Sequence, residues 1–107
     1  MLVTTMNDLP GHEIEEVLGS VFGLTVRSRH VGSTLGAALK SVAGGELKGL
    51  TKLLVEGRRE AEERLMEDAR GKGANAIVAF RFDTSDTGSS GTEICAYGTA
   101  VRARQVG

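Results

Sequence analysis

The sequence predicts a small α+β domain in which one long helix lies over a sheet, and three observations carry this prediction. Between residues 46 and 70, apolar residues recur at spacings of three, four and seven, which stripes one face of a helix. The members of the stripe are Leu47, Leu50, Leu54, Ala61, Leu65 and Ala69. Gly71 and Gly73 follow, and glycine takes the left-handed conformation that ends many helices. Residues 76–83 then read Ala-Ile-Val-Ala-Phe-Arg-Phe-Asp, a composition that indicates a strand.

The opposite face of the predicted helix is charged, which supports the helical interpretation. Arg59 is placed to pair with Glu63, and Glu60 with Arg64, at the i,i+4 spacing that adds roughly 0.2–0.5 kcal/mol per pair. A helix of about 25 residues is roughly 38 Å long at ~1.5 Å per residue, which matches the width of a small domain. We therefore expect the strands to form a sheet beneath it, and we interpret the charged face as a solvated one.

The first part of the chain also predicts strands. Leu2–Thr5 is rich in β-branched residues, which favour a short strand, and Asn7–Gly11 has the composition of a turn. From Glu13 to Arg29, apolar residues alternate with a period of two, which indicates a strand too long to be regular throughout. Gly19 and Gly23 would permit a bulge or a sharp bend within it.

Two shorter segments flank the long helix and the strand that follows it. Ser33 or Thr34 is a candidate cap for a short helix that runs to Val42, before an elbow at Gly44-Gly45. Residues 84–91 are small and polar throughout, which predicts a mobile hairpin loop.

The last predicted strand runs from Thr92 to Arg104, and its residues divide between two faces. Ile94, Ala96 and Ala100 lie on one face, and Cys95, Tyr97, Thr99 and Val101 lie on the other. Gly98 interrupts this strand, and glycine inside a strand usually marks the close approach of another backbone or of a bulky side chain. We therefore expect any side chain at position 98 to overpack the sheet.

Composition and charge limit the classes of function that the sequence supports. The 107 residues predict a single domain, 1–107, and the 13 basic and 14 acidic residues give a net charge of −1. The sequence has no basic stripe with interleaved aromatic residues, which disfavours a nucleic-acid-binding module. It has no apolar run of the ~18–20 residues that a membrane span needs, and its N-terminus lacks the charged and apolar regions of a signal peptide. The single cysteine, Cys95, fits a reducing cytoplasm.

The aromatic content limits the core that one chain can build. Three Phe, one Tyr and no Trp leave small side chains to fill the interior, and 15 Gly weaken local structure further. A core this thin suggests that part of the apolar surface is buried by self-association instead. We expect a homo-oligomer in which the segment Leu2–Thr5, or the bend near Gly19, pairs with a neighbouring copy, because exposed strand edges tend to be covered.

Several sequence blocks, in order and over nearly the whole chain, resemble the YbjQ-like family. They are Val3-Thr4-Thr5, Pro10-Gly11-His12-Glu13-Ile14 and Val17-Leu18-Gly19, then Gly44-Gly45-Glu46-Leu47, Gly73-Ala74-Asn75-Ala76-Ile77, Arg81-Phe82-Asp83-Thr84-Ser85 and Ala96-Tyr97-Gly98-Thr99-Ala100-Val101. The resemblance implies an antiparallel sheet similar to that of dodecin subunits, and ring-shaped homopentamers. The family is uncharacterised in function and carries the label "putative heavy-metal-binding domain". The chain departs from the expected pattern at Leu50, where the resemblance implies an aromatic Tyr in many relatives.

Cys95 is the main candidate for a soft-metal ligand, because thiolates bind copper(I) and zinc well. The alternative is a small apolar side chain within a strand, since free cysteine is often buried. A fixed zinc site needs three or four nitrogen or sulfur ligands, and the chain offers Cys95, His12 and His30 in three separate segments. A pentamer could bring five Cys95 residues together. Within one subunit we expect no tight mononuclear site, and we interpret both histidines as solvent-facing or hydrogen-bonded residues.

Asp83, Asp86 and Glu93 flank the predicted loop, where they could bind a hard cation. The spacing of a calcium-binding loop is absent, however. These carboxylates also lack the apolar neighbours that would raise a pKa for acid–base chemistry. We interpret them as residues of a solvated loop.

The sequence favours a non-enzymatic, homo-oligomeric binding or scaffold protein, a cytoplasmic homopentamer. Its ligand would be a small molecule or a soft metal ion, bound weakly or at a subunit boundary. The alternative is an enzyme whose active site forms only between subunits. The sequence identifies no catalytic or cofactor-binding residue, and it does not assign the ligands of a metal.

Overall fold

The structure is a computed structural model that describes residues 1–27, 48–86 and 91–106. Its elements are β1 (Leu2–Val3), β2 (His12–Arg27), α1 (Lys48–Gly71), β3 (Ala76–Asp86) and β4 (Thr92–Gln105). The strands form one sheet in the order β1-β3-β4-β2, and α1 packs on one face of it. The predicted α+β class is confirmed. The short helix predicted to end at Val42 lies outside the described residues.

α1 buries its predicted apolar stripe over its second half. Ala61, Leu65 and Ala69 are completely buried against the sheet. Leu54 differs from the prediction, because 36% of its surface is exposed. Full burial along the helix begins only at Gly57, so the preceding turn has less of the described sheet beneath it. Within the described ranges, no helix is both long and apolar enough to cross a membrane.

The predicted glycine stop ends α1, and Gly73 is the residue that forms it. Gly73 has a φ of 83°. Its N–H donates to the carbonyl oxygen of Arg70 at 3.0 Å, and the N–H of Ala74 donates to that of Ala69 at 3.1 Å. These two bonds are those of the Schellman motif, which satisfies the last carbonyl groups of a helix. Gly71 is the final residue of the helix itself.

β2 and β4 pair antiparallel along their whole length. The register shifts twice in the first half of β2, between residues 14 and 16 and between residues 17 and 19. Gly19 has a φ of 109°, a conformation that suits glycine, and this confirms the irregularity predicted there. From Gly19 to Arg27 the register with β4 is continuous.

Gly23 has a different role from the predicted bend. It lies in the regular part of β2, opposite Ala96, and α1 crosses directly over it. A Cβ atom at Gly23 would lie 2.1 Å from the carbonyl oxygen of Ala61 and 2.4 Å from the backbone nitrogen of Leu65. Because both atoms belong to the helix backbone, only glycine allows α1 to rest on the sheet at this distance.

β3 carries a bulge opposite Gly98. Ala79 and Phe80 together face Gly98, because the pairing with β4 shifts by one residue before Arg81. A Cβ atom at position 98 would lie 2.8 Å from Cγ2 of Ile77, which is closer than side-chain atoms normally approach. The close approach predicted at Gly98 is therefore confirmed.

The bulge is held by the segment that follows β1. Ala79 adopts a φ of 55°, which is uncommon for a residue with a side chain. Its N–H donates to the carbonyl oxygen of Met6 at 2.8 Å, and the N–H of Phe80 donates to that of Thr4 at 3.0 Å. Backbone groups that the bulge turns away from β4 are satisfied in this way.

The sheet is mixed, because β1 pairs with β3 in parallel and within its own chain. The antiparallel arrangement implied by the family resemblance holds for β2, β3 and β4. β3 continues to Asp86, where the sequence predicted a loop from Thr84 onward. Residues 84–86 pair with residues 94–92 of β4. This pairing makes residues 84–86 part of a strand, although their polar composition predicts a loop. Residues 87–90 of the predicted loop lie outside the described residues.

The main core lies between α1 and the sheet. The buried strand residues beneath the helix are Val21, Ile77, Phe80, Ile94, Ala96 and Ala100. At the margin of this core, the guanidinium carbon of Arg58 lies 5.1 Å from the ring centre of Phe82, a cation–π contact. On the opposite face of the sheet, Leu9 packs with Val78 and Val101 in a smaller cluster.

Replacing glycine by alanine should lower the free energy of unfolding by clearly different amounts at three positions. We expect Gly23→Ala to lower the free energy of unfolding by at least the ~1–3 kcal/mol typical of overpacking, because helix backbone must move. Gly98→Ala should cost less, since its nearest contact at 2.8 Å is a side-chain methyl group and the nearest backbone atom, the carbonyl oxygen of Val78, lies 3.0 Å away. Gly71→Ala is the control, because a Cβ there meets nothing within 4 Å among the described residues. Urea denaturation midpoints measure this order, and equal midpoints for the variants at 23 and 71 would contradict it.

Candidate functional site

The most distinctive surface of the molecule is the sheet face that α1 leaves open. From Ser20 to Val26, where the register is regular, the even-numbered residues of β2 point to this face, as do the odd-numbered residues of β4, because side chains alternate along a strand. We call its apolar portion the outer patch; it consists of Phe22, Leu24, Val26, Cys95 and Tyr97. Phe22 is 61% exposed, Val26 54% and Tyr97 44%.

The residues of the outer patch are direct neighbours. Phe22 lies opposite Tyr97, and Leu24 lies opposite Cys95, in the β2–β4 ladder. Cross-strand partners of this kind have Cβ atoms only about 4.5–5.5 Å apart. The outer patch is therefore one continuous apolar surface, and such surfaces mark sites of interaction with other molecules.

Cys95 lies half-buried in the middle of the outer patch, between Leu24 of β2 and Asp83 of β3. Partial burial raises the pKa of its thiol above the ordinary value, and the negative charges of Glu93 and Asp83 raise the pKa further. The thiol is therefore protonated at neutral pH, and a protonated thiol is a poor nucleophile. The predicted interpretation of Cys95 as a strand residue fits this environment, although its side chain is not fully enclosed.

His12 lies at the other end of the sheet, where β2 begins. Its Nδ1 atom lies 3.2 Å from the carbonyl oxygen of Pro10, so the histidine is hydrogen-bonded as predicted. His12 contributes to a shallow cleft of about 210 Å³. The other residues that line it are Leu2, Leu9, Asn75, Ala76, Ala103 and Gln105. The amide of Asn75 both donates to and accepts from the backbone of Ala103 at 2.8 Å, which continues the hydrogen bonding of β3 by one position.

His12 and Cys95 are too far apart to share a metal ion within one subunit. His12 lies opposite Gln105, ten positions along β4 from Cys95, which corresponds to roughly 33 Å at ~3.3 Å per residue. His30 lies outside the described residues. Across residues 1–27, 48–86 and 91–106, no three His, Cys, Asp or Glu side chains converge as a metal site. The described part of the chain by itself therefore does not fit a structural zinc site, which needs three or four ligands.

Asp83 and Glu93 lie on paired strands, as the sequence predicted, whereas Asp86 lies on β3 and not in the predicted loop. Asp83 is opposite Cys95, and Glu93 is opposite Ser85, in the β3–β4 ladder. Asp86 occupies the last position of β3. The structure thus brings Asp83 and Glu93 close to Cys95, whereas His12 lies far from all of them.

Two residues of α1 contact β2 in a way that the sequence did not reveal. Asp68 Oδ2 accepts a hydrogen bond from the N–H of Phe22 at 3.3 Å, and Arg64 donates one to the carbonyl oxygen of Leu24. The predicted pairing of Arg64 with Glu60 is confirmed. Helical spacing identified that pair, but no local signal shows that its arginine also reaches a strand distant in sequence.

Comparison with known proteins relates the whole chain to one family. A family model for YbjQ-like proteins, described as "Putative heavy-metal-binding", matches residues 1–104. A UPF0145 protein of Streptomyces coelicolor is 67% identical over 101 residues, which cover 94% of this chain and 95% of that protein. A UPF0145 protein of Thermotoga maritima is 44% identical over 106 residues, which cover 99% of this chain and 100% of that protein.

A solved structure supports the fold alone. The crystal structure of a protein with unknown function from Pediococcus pentosaceus, assigned to the DUF74 family, superposes with a TM-score of 0.56. The two chains are 15% identical, and the match covers 97% of this chain and 98% of the other.

The raised pKa of Cys95 predicts slow alkylation. At pH 8 we expect iodoacetamide to react more slowly with Cys95 than with a free cysteine of pKa ~8.5, because less thiolate is present. Asp83→Asn with Glu93→Gln should lower the pKa only partly, since burial is the larger cause. Glu13→Gln, at the opposite end of β2, is the control. The pH dependence of the rate constant measures the pKa, and a value at or below that of free cysteine would contradict the prediction.

Proposed function

The chain belongs to the YbjQ-like family of "putative heavy-metal-binding" proteins, and on that premise we propose that it is a non-enzymatic protein that assembles with copies of itself through the outer patch. The supporting observation is the exposure of Phe22, Val26 and Tyr97 as one continuous apolar surface. Burial of apolar area of this kind is the main driving force of association. Because the core within each subunit is small, the apolar area buried between copies would add to the stability of the folded protein.

A second apolar surface supports a ring over a simple pair. Leu54 and Val55 on α1 are 36% and 49% exposed, and α1 lies on the face of the sheet opposite the outer patch. Two different surfaces on opposite sides suit a head-to-tail contact, in which the outer patch of one copy meets the helix of the next. Such contacts close into rings when the rotation between copies allows it. The family resemblance implies a ring-shaped homopentamer, which a head-to-tail contact of this kind would produce.

Assembly through the outer patch would also provide the route to a metal site. Each copy brings one Cys95 to the surface that becomes buried against α1 of the next copy, so each subunit boundary holds a thiolate, a ligand that suits a soft ion such as copper(I) or zinc. Binding must displace the thiol proton, so the raised pKa of Cys95 weakens metal binding as the pH falls. Because the thiol must stay reduced to serve as a ligand, the proposal places the protein in a reducing compartment, the cytoplasm.

The assembly proposal predicts that a charge in the outer patch separates the subunits. We expect the wild-type protein to be a homo-oligomer at micromolar concentration, and Phe22→Asp and Tyr97→Asp to be monomeric, because a buried carboxylate in the contact is costly. Val106→Asp places the same charge beyond the end of β4, far from the outer patch, and should keep the wild-type mass. Light scattering coupled to gel filtration measures these masses. A monomeric wild-type protein, or an unchanged mass for both patch variants, would rule out this assembly.

The metal proposal predicts binding that depends on assembly. In calorimetric titrations of reduced protein with zinc and with copper(I), we expect fewer than one tightly bound ion per chain, because one subunit lacks enough ligands. Binding should disappear in Cys95→Ala and in monomeric Phe22→Asp. One tight ion per chain that survives Cys95→Ala would overturn the proposal and make His12 and His30 the next candidates.

A further inference from the structure

The second half of β2 forms a regular free edge of the sheet. β2 is the last strand in the order β1-β3-β4-β2, so one side of it has no partner strand within the described chain. Register shifts interrupt its first half, whereas the run from Gly19 to Arg27 is continuous. Regular edges accept additional strands, and bulges prevent such pairing. Only the second half therefore has the geometry to receive another strand.

The backbone groups that point outward along this edge can be identified. The N–H of Phe22 bonds to Asp68 of the helix, so it points away from β4. In an antiparallel pair this orientation repeats at every second residue. Ser20, Leu24 and Val26 consequently also direct their N–H and C=O groups to the edge, which is the pattern that a docking strand would use.

α1 occupies two of these groups in the centre of the run. Asp68 accepts from the N–H of Phe22, and Arg64 donates to the C=O of Leu24. Each side chain is itself held by an ion pair one helical turn away, Arg64 by Glu60 and Asp68 by Lys72. Bonds that involve a charged partner are stronger than neutral ones, so an incoming strand would have to displace both of these side chains from the edge.

We propose that Arg64 and Asp68 form an edge clasp that closes β2 to strand addition, and that the strand excluded is β2 of a second copy of this chain. Two identical edges can pair antiparallel about a twofold axis, which would join two sheets into one. The even-numbered apolar residues Phe22, Leu24 and Val26 would then form a continuous row across both copies. This inference does not depend on the assembly proposed above, because the edge and the outer patch are different surfaces.

The position of the helix makes the edge clasp possible. The carbonyl oxygen of Ala61 and the backbone nitrogen of Leu65 lie only 2.1 and 2.4 Å from the position that a Cβ of Gly23 would take. α1 therefore sits directly on the strand between Phe22 and Leu24. Side chains one turn apart on its flank, at 64 and 68, can reach past the strand to its outward-pointing groups.

The test compares two double variants with equal charge loss. Arg64→Ala/Asp68→Ala removes the edge clasp, and Arg59→Ala/Glu63→Ala removes an arginine and an acid at the same spacing from the exposed face of α1. Hydrogen exchange at low protein concentration reports on the amide of Phe22, and sedimentation velocity over a range of concentrations reports on mass. We expect the clasp variant alone to exchange this amide about tenfold faster or more and to form, at higher concentration, a species of twice the wild-type mass.

A third variant tests whether the changes in exchange and mass come from lost hydrogen bonds at the edge or from a general loss of stability. Arg64→Lys/Asp68→Asn keeps a donor at 64 and an acceptor at 68, so it should retain the wild-type exchange rate and mass. If the alanine pair does not fold, Asp68→Ala alone exposes the amide of Phe22, and the same comparison applies to it. Unchanged exchange and mass in the clasp variant, or equal changes in the Arg59/Glu63 control, would overturn the proposal.

Discussion

The backbone of α1 contacts β2 directly at Gly23, and this contact sets the distance between the helix and the sheet. No side chain separates the two elements there, so the helix axis lies unusually close to the strand. The neighbouring positions are correspondingly small, with Ala61 above and Ala96 beside it. A close layer of this kind needs few large side chains to fill it, which explains how a chain so poor in aromatic residues still buries a core.

The same contact determines what the helix leaves uncovered. By lying over the inward-facing residues of β2, α1 reaches the edge of the sheet with Arg64 and Asp68 but leaves the opposite face open. The edge and the open face of β2 therefore differ in whether α1 covers them. The edge is occupied by side chains of the same chain, while Phe22 and Tyr97 on the face remain exposed.

The sequence predicted the features that local patterns control. The helical stripe at Ala61, Leu65 and Ala69 and the termination at Gly73 follow from spacing and from backbone conformation, and both are confirmed. Gly23 was predicted as a bend, because glycine in a strand is compatible with either a bend or a close approach. Only the helix packed above it decides between the two, and that contact is distant in sequence.

The bulge in β3 had no sequence signal at all. Ala79 adopts a left-handed conformation although alanine does not favour it. The carbonyl groups of Met6 and Thr4, which lie more than 70 positions earlier in the chain, hold it there. The sequence also gave no reason to expect that β1 would lie parallel to β3.

The outer patch escaped prediction because β2 is apolar on both of its faces. Val21 points inward and is fully buried, while Phe22 and Val26 point outward and are exposed. A strand with one polar face would have revealed its orientation by alternation, but this one does not. Cys95 was identified as the single thiol, yet its place at the centre of an exposed apolar surface follows only from the register of β4 with β2.

The pairing of β2 with β4 has a consequence for how the chain folds as it is made. β4 lies between β2 and β3 in the sheet, although it is synthesised after both of them. His12 can pair with Gln105 only after Gln105 has been synthesised. At ~5–20 residues per second, the synthesis between the two residues lasts roughly 5–20 s. Such distant pairings also slow folding itself. A nascent chain that has not reached Thr92 holds two strands without their common partner, and its two-faced apolar β2 is exposed to the ribosome's surroundings until β4 closes the sheet.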